Sequence, residues 1–146
     1  AWGFYGFVMM YRETGKERYL KQAVRIADFI IHHPNLPEDK IPYWDYNAPN
    51  IPEAKRDASA GAITCSALIE LSDYVNPEMS AMFMEVAEQM LRTLSSPEYR
   101  TGMGENGNFL LKHSVGHLKA GSEVDVPLSY ADYYYIEALM RMKERL

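Results

Sequence analysis

Cysteine is almost absent from this chain of 146 residues, where Cys65 stands alone. One thiol excludes an internal disulfide, and its place among small residues predicts a buried, inert side chain. Long hydrophobic runs are missing as well: none reaches the roughly 18 to 20 apolar residues that a membrane-crossing helix requires. Basic charge is sparse. The net charge is −5 and no Lys/Arg cluster occurs, which argues against nucleic acid or an anionic membrane surface as a partner. There is no glycine-rich phosphate loop, no Ser-His-Asp arrangement and no cofactor signature, so neither cofactor nor metal is expected.

The chain also shows no starting Met, signal peptide or capping residue, and opens AWGFYGFVMMY at full hydrophobicity. A chain that begins in mid-helix is expected to be part of a longer polypeptide. At 47% hydrophobic it nonetheless has enough apolar residues for one domain with a real core.

The segment Arg56–Leu71, RDASAGAITCSALIEL, organises the rest. Its residues are small, with Ala60, Ile63, Ala67 and Leu71 at helical spacing, and Asp57 or Ser59 placed to cap the helix. So thin a helix is an inner one, approached closely on several sides. Around it the chain reads as four more helices and two long connections. The first helix runs from Trp2 to about Arg12, with Gly15 as its stop. An outer helix covers Lys16 to Ile31, with Leu20, Ala23, Val24, Ala27, Ile30 and Ile31 on one face. Another follows Asn76-Pro77, an N-cap and a first-position proline, and runs to about Leu94; its Met79, Met82, Met84 and Met90 are core filler. The last spans Ser129 to Arg145.

Prolines at 34, 37, 42, 49 and 52 exclude a helix between His32 and Lys55. Tyr43-Trp44-Asp45-Tyr46 makes that stretch too aromatic for disorder, so it is expected to pack over one end of the helices. Ser95–Leu128 holds five glycines, an extended candidate at Asn108–His113, and then Ser122–Val126. Sliding the chain by about 60 residues sets Val8 on Leu68, Tyr11 on Leu71, Ile26 on Val86, Ala27 on Ala87 and Ile30 on Met90. Such two-helix units bury their faces only by stacking on neighbours. The fold is therefore expected to be all-α, a segment of an α/α barrel that two and a half units cannot close.

The stretches AWGFYGFVMMYRET, HHPNLPEDKIPYWDYNAP, RDASAGAITCSALIEL, LLKHSVG and SEVDVPLSYADYYYIEALMR together resemble the C-terminal part of the unsaturated glucuronyl hydrolases, glycoside hydrolase family 88. The unsaturated rhamnogalacturonyl hydrolases of family 105 match the proline-rich stretch less well. The resemblance implies an (α/α)6 barrel, with this chain as a C-terminal half-barrel of one larger catalytic domain. It implies removal of an unsaturated uronic acid from lyase-generated oligosaccharides, such as those from glycosaminoglycans, in the bacterial periplasm or cytoplasm. Ordinary glycosidases set two carboxylates at the scissile bond. In this family an aspartate instead protonates the C4=C5 double bond while water adds at C5, and the resulting hemiketal opens. The two aspartates concerned have no counterpart here, so the chain alone is expected to be inactive, and no catalytic residue is assigned within it. Its expected partners are the oligosaccharide and the missing N-terminal half of the barrel, or a second copy joined through the exposed apolar face.

Six residues are candidates for substrate binding. Trp2 matches the last position of the family's W-x-R-G-Q-x-W pocket motif, of which only Ala1 and Trp2 are present; an aromatic plug inside the helices is its other reading. Arg56 and Asp57 are either a polar pair at the pocket mouth or a cap with a surface ion pair. Trp44, with Tyr43 and Asp45, is either a sugar contact or a loop anchor. His113 and His117 are assigned to substrate hydrogen bonding, since an i, i+4 pair binds zinc only on a helix with a third ligand. Asp132 caps the last helix or meets sugar, and His32 and His33 meet the negative end of their helix. A free-standing helical binding module is the alternative from another class.

Overall fold

The computed structural model of the chain describes residues 1–145. Five helices carry the fold: α1 (Trp2–Thr14), α2 (Glu17–Ile31), α3 (Ala58–Leu71), α4 (Pro77–Leu94) and α5 (Ser129–Lys143). Their ends follow local chemistry. Gly15 stops α1 at φ +63°, its N–H bonded to the Tyr11 carbonyl at 2.8 Å, a left-handed conformation that glycine adopts without a Cβ clash. Asp57 caps α3, and the Asn76 side chain caps α4 by accepting from Met79 N at 2.9 Å, with Pro77 in the first turn.

α1 folds back on α2, and α3 on α4, while α3 also packs against both α1 and α5. This makes α1, α3 and α5 an inner row and α2 and α4 an outer one. Every residue of α3 except Ala60 is buried. At Gly61 the first long connection approaches that helix closely: a Cβ there would stand 3.0 Å from Ile41 Cδ1, so the isoleucine would have to give way. The pairing of repeat units holds at the core: Val8 with Leu68, Ala27 with Ala87 and Ile30 with Met90 are all buried. Cys65 is buried, its Sγ within 3.3 Å of the Ala87 carbonyl, and burial pushes the thiol pKa up. No helix described is long and apolar enough to cross a membrane.

Three expectations need correction. The connection after α4 contains a two-stranded antiparallel sheet, β1 (Ser114–His117) with β2 (Ser122–Val126), bulged between Ser114 and Val115. The extended candidate at 108–113 makes only an isolated bridge, Arg100 to Leu111. Asp132 explains why: its carboxylate accepts from Leu110 N at 2.8 Å and Leu111 N at 3.0 Å, occupying donors that a strand partner would use. Asp132 thus neither caps α5 nor stands free for sugar; it fastens the connection to the helix. The open apolar surface lies on two inner helices, taking in Trp2 and Met9 of α1 and a broader row on α5. On α1, Phe4 is buried and Phe7 and Met10 are half-buried, whereas on α5 Tyr133, Ile136, Leu139 and Met140 are exposed.

Candidate functional site

The first connection is ordered by pairing its own ends. Tyr43 bridges Arg56, Trp44 N donates to Lys55 O at 2.9 Å, and Asp57 N donates to Pro42 O at 2.9 Å. This places the aromatic run beside the start of α3, where a cleft of about 470 Å³ opens. Its walls come from five places: Trp2 of α1, Trp44 and Tyr46 of the connection, Asp57 and Ser59 at the head of α3, Gly116 of β1 and Tyr130 of α5.

Trp2 is 54% exposed, so it is not a plug. Its ring leans on Tyr130 and Tyr134, with centroids 5.5 Å and 5.4 Å away, which steadies it while leaving one side open. Trp44, from the first connection, is half-buried in the same cleft, and Asp45 lies exposed beside it; Tyr43 is the buried anchor of that turn. Asp57 is buried at the cleft floor. Its Oδ1 accepts from Ser59 N at 3.0 Å, Ser59 Oγ at 2.6 Å and Val115 N at 3.2 Å. Burial raises its carboxyl above the usual carboxylate range, against the pull of those hydrogen bonds. Tyr46 is pushed up to about 12 by burial, and Tyr130 is raised by burial and by the Asp57 charge. The cleft is thus lined by two indole rings, two phenols and a buried carboxyl, an arrangement suited to a polyhydroxylated ring with one apolar face.

Arg56 does not line this cleft. In extended backbone successive side chains point to opposite sides. Asp57 turns inward, and Arg56 turns outward to Asp39, to the Ile41 carbonyl at 2.9 Å and over the Tyr43 ring at 5.1 Å. His113 also lies off the cleft, its Nδ1 2.6 Å from Asp125 Oδ1 and its ring edge-on to Tyr99. His117 is exposed at the far end of β1, and β1, not a helix, separates the two histidines. His32 pairs with Asp28 at 3.0 Å, while His33 packs between Phe29 and Tyr46 and so backs the cleft wall. Sequence reading missed Ser59, Gly116 and Tyr130. Tyr130 was within reach, because it sits at the start of an inner helix just as Trp2 and Asp57 do.

A second polar feature runs along the inner row. Glu70 is buried between Arg12 Nη1 at 2.9 Å and Arg141 Nη2 at 2.6 Å; Arg141 also donates to the Ser66 carbonyl at 2.7 Å, and Tyr5 donates to Glu137 at 3.1 Å. It ties α1, α3 and α5 together.

No family model matches the chain. The unsaturated glucuronyl hydrolase of Formosa agariphila is 46% identical over 97% of this chain, which spans 34% of that protein. A crystal structure of an unsaturated glucuronyl hydrolase specific for heparin superposes with a TM-score of 0.95 at 49% identity, over 99% of this chain and 38% of that one. A mutant of the Streptococcus agalactiae enzyme, complexed with dGlcA-GalNAc6S, superposes at 0.86 and 29% identity, over 99% of this chain and 38% of that one. The helices are accordingly an arc of an α/α barrel, spanning a little over a third of such proteins. Over nearly its whole length the chain is homologous to the unsaturated glucuronyl hydrolases, matching a little over a third of each.

Proposed function

We propose that these residues are the C-terminal half-barrel of one larger catalytic domain. That domain removes unsaturated uronic acid from lyase-generated oligosaccharides by hydrating the C4=C5 double bond. The observation that carries the reading is the cleft itself, which Trp2 and Trp44 line together with the buried Asp57 carboxyl. The Streptococcus relative is a mutant complexed with dGlcA-GalNAc6S, and none of the relatives above is named for rhamnogalacturonan.

In this reading Trp2 lies against the sugar ring, Trp44 lines the same cleft, and the Asp57 carboxyl and Tyr130 hydroxyl meet sugar hydroxyls. Arg56 and His113 act from behind the cleft. His117, next to Gly116 on the hairpin, stands beside the portion of an oligosaccharide that projects outward. The acid that protonates the double bond comes from polypeptide upstream, and the exposed apolar row on α5 is covered by the rest of the barrel.

The test compares the purified 146-residue chain with the same chain joined to an upstream half-barrel, using loss of the double bond's ultraviolet absorbance in an unsaturated disaccharide. Turnover is expected only for the joined protein. Release of unsaturated sugar by the 146 residues alone, or no turnover by the joined protein, overturns the reading.

A further inference from the structure

Resting on the assignment of the cleft as a sugar site, we propose that His113, Asp125 and Lys55 form a clasp that seats the β1–β2 hairpin on the head of α3. They are positioning residues for the Asp57 carboxyl rather than groups that touch sugar. Asp125 holds two segments at once: Lys55 Nζ lies 2.7 Å from its Oδ2 and His113 Nδ1 lies 2.6 Å from its Oδ1. Lys55 belongs to the chain that leads into α3, His113 to the approach to β1, and Asp125 to β2. Neither His113 nor Asp125 lines the cleft.

The consequence runs through the backbone. The His113 carbonyl accepts from Ala58 N at 3.0 Å, and Val115 N donates to Asp57 Oδ1 at 3.2 Å. Residues 113 and 115 therefore grip the first turn of α3 from outside, and one of the donors that hold Asp57 belongs to the hairpin. Two of the clasp residues are also strained. His113 has φ +62° and Asp125 φ +57°, a left-handed conformation that non-glycine residues keep only when their surroundings enforce it. With side chains 42% and 30% exposed, the contact between His113 and Asp125 is too wet to be a large stabiliser. Its position between three segments, at two strained residues, is what a positioning role requires. Its surroundings are mixed in charge: Glu53 and Arg56 from the first connection, and Glu98 and Tyr99 from the segment after α4. The two bonds from Lys55 and His113 nevertheless hold the Asp125 carboxyl below the usual carboxylate range.

The experiment uses the complete polypeptide that carries these residues, with Asp125→Asn, His113→Gly and His113→Asn variants. Glycine relieves the strained backbone while removing the clasp. Asparagine tolerates the same backbone and keeps a donor toward Asp125. For Asp125→Asn and His113→Gly, KM for an unsaturated disaccharide is expected to rise about tenfold with kcat nearly unchanged, the signature of a shifted binding group. Amide exchange at Val115 and Ala58 should accelerate in parallel. His113→Asn should recover both. Unchanged exchange at Val115 and Ala58 in the first two variants overturns the clasp. If the unaltered polypeptide turns over no unsaturated uronide, the sugar-site reading fails, and the exchange rates by themselves still decide whether the clasp seats the hairpin.

Discussion

Glu70 on α3 and Arg141 on α5 meet at 2.6 Å, with the Glu70 side chain 8% exposed and Arg141 16% exposed. Arg12 of α1 reaches the same carboxylate, so one buried anion joins all three inner helices. Removing one partner of a buried pair leaves an uncompensated charge, which is far costlier than removing both. Glu70→Ala is expected to destabilise the protein by about 3 kcal/mol in urea unfolding. Glu70→Leu combined with Arg141→Leu should cost less than Glu70→Ala, and a larger loss in the double variant would show that the network acts through more than charge pairing.

Asp57 predicts a pH dependence. Its carboxyl is raised in the folded state because burial outweighs its hydrogen bonds. A group with a raised folded pKa favours folding when protonated, and that contribution disappears as pH climbs past the folded value. Relative to Asp57→Asn, the natural protein should therefore gain stability as pH falls from neutrality toward the ordinary carboxylate range, then level off below it. Chemical denaturation of both proteins across that range measures the difference. A gain in the opposite direction would mean that the hydrogen bonds from Ser59 and Val115 outweigh desolvation.

Trp2 separates binding from stability. More than half of its surface is exposed, so Trp2→Ala should leave the unfolding midpoint close to that of the natural protein. An aromatic contact worth about 0.5–1.5 kcal/mol predicts a hold on an unsaturated disaccharide weaker by roughly two- to tenfold, with Trp2→Phe intermediate. Titration calorimetry on the complete polypeptide checks both variants.

Gly116 lines the cleft, and a Cβ there would collide with the Glu123 carboxylate and stand 2.9 Å from Glu123 Cβ. Gly116→Ala should cost about 1–3 kcal/mol as the hairpin shifts to relieve the overlap. Adding Glu123→Gly removes the obstructing side chain and relieves a residue at φ +54°, so the double variant should recover most of that loss. Thermal unfolding reads both effects.

Much of the architecture was legible from local chemistry. Helix ends at Gly15, Asp57 and Asn76-Pro77 lie where their caps demand, and the 60-residue repeat identified the core pairs, because caps and hydrophobic periodicity act within a few residues of chain. Of the six candidate residues, Trp2, Trp44 and Asp57 line the cleft, and each stands at a helix start or in an aromatic turn. Arg56, His113 and His117 lie off the cleft, because neighbouring side chains in extended backbone diverge and nothing local reveals which one turns inward.

What the sequence determined by itself was a row of helices with their capped ends, a buried thin helix at the centre, and the resemblance of its motifs to one group of hydrolases. Tertiary structure alone decided that Val115, 58 residues away, holds Asp57, that Asp132 ties down residues 110 and 111, and that Glu70 joins two arginines. The reason is that a hydrogen bond or ion pair is specified by the meeting of two distant surfaces. The chain encodes each partner separately, and only packing chooses the pair.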